Sequence, residues 1–109
     1  MANVYTNAKK YLTGTSVTTL YTAPALTTAI IKSILVSEDS GNADTITVTI
    51  TDTASSPVTF SLFKTKAIGA NTTVELLTAP IIVQTGEIIK VTAATANRLH
   101  VVASILEVT

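Results

Sequence analysis

The sequence predicts an all-β fold, an antiparallel β-sandwich of Ig-like or jelly-roll-like type with about eight short strands. Two observations carry this prediction: β-branched segments alternate between apolar and polar residues with period two, and turn residues recur at short intervals. A third is that no segment sustains a helical period. Because the chain has 109 residues, we expect a single domain over residues 1–109.

Strand 44–52 is the clearest element, because Ile46, Val48 and Ile50 alternate there with threonines. Turns are predicted wherever Gly, Asn, Asp, Ser or Pro cluster, since each favours a turn for its own conformational reason. The predicted turns are TGTS (13–16), TAPA (22–25), DSGN (39–42), ASSP (54–57), IGAN (68–71), QTGE (84–87) and TANR (95–98). The predicted strands are 4–12, 16–21, 29–37, 44–52, 57–65, 72–77, 87–93 and 99–108.

The faces of these strands differ, and the difference bears on function. Strands 29–37 and 99–108 are apolar on both faces, so both faces need cover, whereas a two-layer sandwich covers one. A loop, the N-terminal segment or another copy must cover the second face. The threonine face of strand 44–52 is interpreted as an ordinary exposed sheet face, with an interface or an ice-binding array as alternatives. In strand 57–65 Val58, Phe60 and Leu62 share one face, and Phe63 interrupts the polar face.

The composition excludes several functional classes. Seven Lys and Arg balance seven Asp and Glu, so no basic field would attract nucleic acid or anionic lipid. Charged residues are 13% of the chain, against about 25% in an average protein, and 22 threonines supply much of the polarity. There is no cysteine, and no apolar run has the length of a signal peptide or a membrane span. We expect a soluble protein without a Sec signal that binds neither nucleic acid nor membrane.

No group of residues predicts catalysis or a cofactor. His100 is the single histidine, and Ser104 on the same strand face is roughly 13 Å away, too far for a hydrogen bond. The loop from Glu38 to Asp44 is rich in oxygen ligands and has two interpretations, a calcium site or a solvated hairpin turn. We expect no catalytic residue, no cofactor and no resident metal, and therefore no enzyme.

The N-terminal segment 1–12 has two interpretations, a binding arm or the first strand of the sheet. It carries two of the three tyrosines and a pair of lysines, and tyrosine suits interfaces because it combines apolar area with a polar tip. The candidate interface residues are Tyr5, Lys9, Lys10, Tyr11 and Leu12.

The order of segments after residue 15 resembles that of small β-sandwich virion proteins of tailed bacteriophages. TTLYTAP (18–24) leads to AIIKSILVS (29–37) and a hairpin, as in the front half of those proteins. NTTVELL (71–77), GEIIKV (86–91) and the closing strand LHVVASILEV (99–108) are similar to their back half. Glu38–Asp39 departs from the uncharged turn expected there.

The resemblance implies a virion structural protein, best matched by capsid decoration (cement) proteins, which bind the major capsid lattice. It implies a location in the virion after assembly in the host cytoplasm. The partners would be the major capsid protein or other virion proteins and further copies of the chain, with a trimer favoured. The alternatives are a low-copy neck, tail or baseplate adaptor, and a β-sandwich module that binds a host receptor or carbohydrate.

Overall fold

The computed structural model describes residues 2–54 and 56–109, which form nine strands and no helix, so none of them belongs to a helix that could cross a membrane. Met1 of the N-terminal segment and Ser55 of the predicted ASSP turn lie outside the described residues. The strands are β1 (Asn3–Tyr11), β2 (Thr18–Thr22), β3 (Thr28–Glu38), β4 (Asp44–Asp52), β5 (Val58–Ile68), β6 (Thr73–Glu75), β7 (Ile81–Val83), β8 (Ile88–Ala93) and β9 (Leu99–Val108).

The strands pair into two antiparallel sheets, which confirms the predicted β-sandwich. The first sheet has the order β1-β9-β3-β6, and β7 pairs with the same side of β3 further along. The second sheet has the order β2-β8-β4-β5. Successive strands change sheet except in the β4–β5 and β6–β7 pairs. This is the jelly-roll order, with one of its eight strand positions divided between β6 and β7.

The core lies between the two sheets and is built from alternate residues of the central strands. Ile34, Val36, Val48, Leu99 and Val101 have no exposed surface. Burial of each such side chain stabilises the fold by about 1.5–3 kcal/mol. The period-two alternation seen in the sequence therefore gives each sheet one continuous apolar face, and these two faces form the core.

The predicted strand 72–77 is shorter in the structure, and residues 81–83 form a strand that was not predicted. The N–H of Leu76 still donates to the Ile34 oxygen (2.9 Å), but the chain then leaves the sheet before β7 returns to β3. Each piece pairs over three residues. A segment that short contains too little alternation to be recognised from the sequence.

A bulge in β5 explains why Phe63 interrupts a polar face. The β4–β5 register shifts between Val48 and Thr49, so Leu62 has no partner in the ladder and Phe63 pairs with buried Val48. The extra residue reverses the side-chain alternation, as a β-bulge must. Phe63 therefore packs against the core, so strict alternation was wrong for Phe63, whereas Leu62 packs against the core as predicted. A second register shift, between Ile46 and Val48, restores the original alternation by Ile68.

Tyr21 joins the two sheets at one side of the sandwich. Its hydroxyl donates a hydrogen bond of 2.5 Å to the carboxylate of Glu107, which lies on β9 of the other sheet. Burial raises the pKa of Tyr21, and the hydrogen bond and negative charge of Glu107 raise it further. The tyrosine is thus held neutral at the position where β2 approaches β1 and β9.

Candidate interaction surface

The outer face of the first sheet, defined as its surface turned away from the core, carries an apolar row across four strands. The ladder registers align one residue from each of β1, β9, β3 and β7. We call these residues the Tyr5 row: Tyr5, Leu106, Ile30 and Ile82. Tyr5 is 75% exposed and Ile82 is 51% exposed. No described part of the chain covers the ends of this row.

A second row crosses the same face and places opposite charges at its two ends. The residues of this Leu35 row are Lys9, Val102, Leu35 and Glu75, from β1, β9, β3 and β6. Leu35 and Val102 form its apolar centre and are 40% and 38% exposed. The lysine lies at the β1 edge of the sheet and the glutamate at the β6 edge.

Glu75 remains anionic because the chain fixes its carboxylate. It accepts hydrogen bonds from the Ser33 hydroxyl and from the N–H groups of Ile34 (2.9 Å) and Leu77 (3.1 Å). Burial alone would raise the pKa of Glu75, but these hydrogen bonds outweigh it and lower the pKa. The carboxylate also holds the β3 bulge next to Lys32, where the ladder to β9 is irregular.

A polar strip separates the two rows. Ser33 and Ser104 are cross-strand partners, and Asn7 is the partner of Ser104 on β1. The Lys32 ammonium reaches from β3 to 5.9 Å from the centre of the Tyr5 ring. Its charge therefore lies near the β1 edge, while its alkyl chain follows the sheet surface.

The structure places the five predicted interface residues in three different environments. Residues 3–11 are a strand paired along its whole length with β9, and Tyr5, Lys9 and Tyr11 lie on the outer face. Lys10 lies on the opposite face of β1 and is exposed there. β1 is an edge strand, and its neighbour in the sheet is β9. Leu12 is 2% exposed and packs in the hydrophobic core. The surface at this edge is thus formed by Tyr5, Lys9 and Tyr11.

Tyr11 stacks on His100 at one end of the sandwich. Their ring centroids are 4.4 Å apart and the planes differ by 1°. The imidazole Nε2 is 3.2 Å from the Asp39 carboxylate, and Ser37 is the cross-strand partner of His100. The described hydrogen bond of the His100 side chain is therefore the one to Asp39.

The loop from Glu38 to Asp44 is closed by its own carboxylates. Glu38 accepts hydrogen bonds from the Ser40 hydroxyl and from the N–H groups of Ser40 (2.8 Å), Gly41 (3.1 Å) and Asn71 (3.0 Å). Burial would raise the pKa of Glu38, but these donors outweigh it and hold the pKa at about 2. Asp44 likewise accepts from the N–H of Thr95 (3.1 Å). Among residues 2–54 and 56–109, no three acidic or histidine side chains form a group able to hold a metal ion.

A second apolar surface lies along the edge strand of the second sheet. Phe60 is 54% exposed and Val58 is 49% exposed, although both are on the inward side of β5. Nearby, Leu62 and Phe63 face the chain between β6 and β7 across a groove of about 350 Å³. The rest of the groove lining is Leu76, Leu77, Thr78, Ala79, Pro80 and Ile81.

The threonines of β4 form a different kind of surface. Thr45, Thr47 and Thr49 point outward and are half-buried, and Thr51 is buried, with its hydroxyl 2.9 Å from the Thr59 hydroxyl. Cross-strand pairs of this kind stabilise a sheet by about 0.2–1 kcal/mol. Along β4 the outer face of the second sheet is therefore polar, and hydrogen bonds made by Thr47 and Thr51 connect it to β5.

Three surface residues that the N-terminal candidates did not include are Leu35, Val102 and Ile82. The two-faced pattern of strands 29–37 and 99–108 was a usable signal for the first two, since it predicted an uncovered face. Ile82 gave no such signal, because its strand was not predicted. The alignment of all these residues depends on strand register, which a local pattern does not contain.

Comparison with protein-family models finds no family that matches the chain, and comparison with curated proteins finds no match either. Among solved structures, the chain is similar to one in the structure of infectious bursal disease virus, Gt strain, with 11% sequence identity and a TM-score of 0.46. The matched region covers 98% of this chain and 30% of that viral chain, so this chain spans about a third of its length. At this identity and TM-score the similarity establishes neither a family nor a function.

Proposed function

We propose that the protein is a non-enzymatic structural component of a bacteriophage virion, a decoration protein that binds the outer surface of the capsid lattice and stabilises the head. The strand order carries this proposal. Jelly rolls are the architecture of viral capsid domains and also of lectin domains. The segment order, which resembles that of tailed-phage virion proteins, favours the first class over the second.

The distribution of apolar surface supports a part that assembles. One apolar surface is the outer face of the first sheet, and the other is the β5 edge with its groove. A subunit on a lattice has to contact both its neighbours and the shell, so it needs at least two separate surfaces.

The polar groups support a structural rather than a catalytic role. The carboxylates of Glu38, Asp44 and Glu75 accept hydrogen bonds from backbone N–H groups, and in that way they close turns and hold a bulge. His100 stacks on Tyr11 and pairs with the exposed Asp39. Each of these groups has a partner that accounts for it within the fold.

The first test is the number of copies per purified virion, measured by quantitative mass spectrometry against the major capsid protein. We expect on the order of hundreds, which follows icosahedral lattice sites. About six to twelve copies would instead indicate a ring at the neck, tail or baseplate. Absence from the virion, combined with glycan binding by the purified protein, would refute the proposal in favour of a lectin-like module.

A second test asks for the stabilising effect directly. Heads that lack the protein should lose infectivity faster on heating or osmotic shock, and added purified protein should restore their resistance. Phe60→Ser should weaken this rescue, because it removes an exposed apolar group beside the groove. Val17→Ser is the matched control, since Val17 is 66% exposed but lies away from β5. Equal stability of heads with and without the protein would contradict the cementing role.

A further inference from the structure

The geometry points to a second copy of this chain as the partner of the outer face of the first sheet. We infer a twofold dimer in which two such faces pack together, with the symmetry axis parallel to the strands. This inference is independent of the virion role, because it concerns the purified chain alone.

The two rows are self-complementary under this axis. A twofold rotation about an axis along the strands reverses the order of strands across the sheet and leaves each row opposite itself. Leu35 then faces Val102 of the other copy, and Lys9 faces Glu75 of the other copy. In the Tyr5 row, tyrosine faces Ile82 and Leu106 faces Ile30. Apolar residues thus meet apolar residues, and each lysine meets a carboxylate.

The charges select this axis over the alternative. Midway between the two rows, an axis perpendicular to the strands would exchange the rows and set the Glu75 carboxylate against Ile82 without a cation, which is unfavourable. Along the Leu35 row, such an axis would oppose Lys9 to Lys9 and Glu75 to Glu75. Like charges opposed across an interface are unfavourable. Both axes keep the strands of the two sheets aligned, which is a usual arrangement of packed sheets, so the choice between the axes depends on the charges.

The size of the face fits a weak dimer. Four strands at about 4.8 Å spacing and seven residues at about 3.3 Å rise give an area of roughly 19 by 23 Å. Two copies would therefore bury about 900 Å² in total, below the roughly 1,200–2,000 Å² of stable specific interfaces and in the range of weak or transient ones. We expect a dissociation constant of about 1–100 µM.

Lys32 limits the affinity and provides an informative variant. Its alkyl chain crosses the polar strip, and its ammonium lies near the β1 edge over Tyr5, so the charge can stay hydrated at the rim. Replacing it by an apolar side chain of similar length removes the remaining cost of desolvation. Lys32→Met should therefore tighten the dimer by about 3- to 10-fold.

Sedimentation velocity of the purified full chain between about 1 and 500 µM tests the dimer, on the affinity range expected above. The wild-type protein should pass from monomer to dimer, and Val102→Glu should weaken association at least 10-fold. Val17→Glu is the control, because it adds the same charge at an exposed valine outside the face. Circular dichroism of each variant checks that the fold is retained.

Crosslinking tests the axis, and the absence of cysteine makes it simple. Tyr5→Cys and Ile82→Cys are prepared separately and treated with a bis-maleimide that spans about 10 Å, the spacing of packed sheets. Position 5 should lie about 10 Å from position 82 of the other copy, but about 17 Å from position 5 of the other copy. We expect covalent dimers from the mixture and few from either variant alone.

A chain that stays monomeric at all concentrations would overturn the inference. So would a trimer, a dimer that Val102→Glu leaves unchanged, or crosslinks that form equally within each single variant. None of these outcomes bears on the number of copies in a virion, so the dimer and the decoration role fail separately.

Discussion

Removing the Tyr21 hydroxyl should weaken the connection between the two sheets. In Tyr21→Phe the ring keeps its packing against the core, and only the 2.5 Å hydrogen bond to Glu107 is lost. A hydrogen bond to a charged group contributes about 1.5–3 kcal/mol, and the partial exposure of both partners reduces this to roughly 1 kcal/mol. For a domain of this size the loss corresponds to a fall in Tm of about 4–6 °C.

The same variant should change the response to alkali. The pKa of Tyr21 is raised in the folded protein, so its contribution is fully present below the ordinary value of 10.0. Above pH 10 the unfolded chain releases the tyrosine proton while the folded chain retains it, and stability falls as the pH rises. The wild type should therefore lose stability above pH 10 more steeply than Tyr21→Phe.

Urea denaturation at pH 7 and at several pH values from 9 to about 11 measures both effects. Tyr11→Phe is the control, because its hydroxyl makes a longer bond of 3.4 Å to the Asn97 oxygen at an exposed position. It should change stability by less than about 0.5 kcal/mol. If Tyr21→Phe matched this control at pH 7 and had the same alkaline slope as the wild type, the link between the sheets would carry no stability.

Three further changes test other parts of the fold. The pKa of Glu38 is about 2, below its ordinary 4.5, so its contribution to stability is present above pH 4.5 and is lost as the pH falls towards 2. In an acid titration followed by circular dichroism, Glu38→Gln should therefore lose stability less steeply than the wild type. Leu99→Ala should cost about 2–5 kcal/mol in urea denaturation and Leu35→Ala less than about 1 kcal/mol, since only Leu99 is fully buried. In thermal unfolding, Gly86→Ala should cost about 1 kcal/mol or more, because φ is +84° there and an added Cβ would lie 3.2 Å from the Thr53 hydroxyl. Gly14→Ala is the control and should be near neutral, because an added Cβ meets nothing within 4 Å.

The sequence was sufficient for the fold class and for the longest strands. Strand 44–52 was predicted with the observed bounds because it alternates over nine residues. Strand 99–108 was predicted with the observed bounds because a β-branched, apolar segment follows the TANR turn there. Alternation did not predict the bulge at Leu62, where one extra residue reverses the side chains up to the next register shift, between Ile46 and Val48. It also did not predict Ile81–Val83, where the pairing covers three residues.

The candidate surface was predictable only in part. Tyrosine and lysine in the N-terminal segment indicated Tyr5, Lys9 and Tyr11, which lie on the outer face, but they also suggested Leu12, which is buried. The two-faced strands indicated an uncovered face without showing its extent. Its extent depends on β1, β9, β3 and β7 being neighbours, which is a property of the strand order and not of any one segment.

The two sheets differ on their outer faces in a way that folding alone does not require. Both present apolar residues to the same core, and one outward row across the four strands of the second sheet is polar throughout: Thr19, Lys90, Thr49 and Ser61. The equivalent row of the first sheet, the Tyr5 row, is apolar throughout. A polar row is therefore compatible with this architecture, and leaving apolar side chains in contact with water is unfavourable in free energy. The apolar row is explained if this face packs against another protein surface. Because the face is complementary to itself under a twofold axis along the strands, we place a second copy of the chain there.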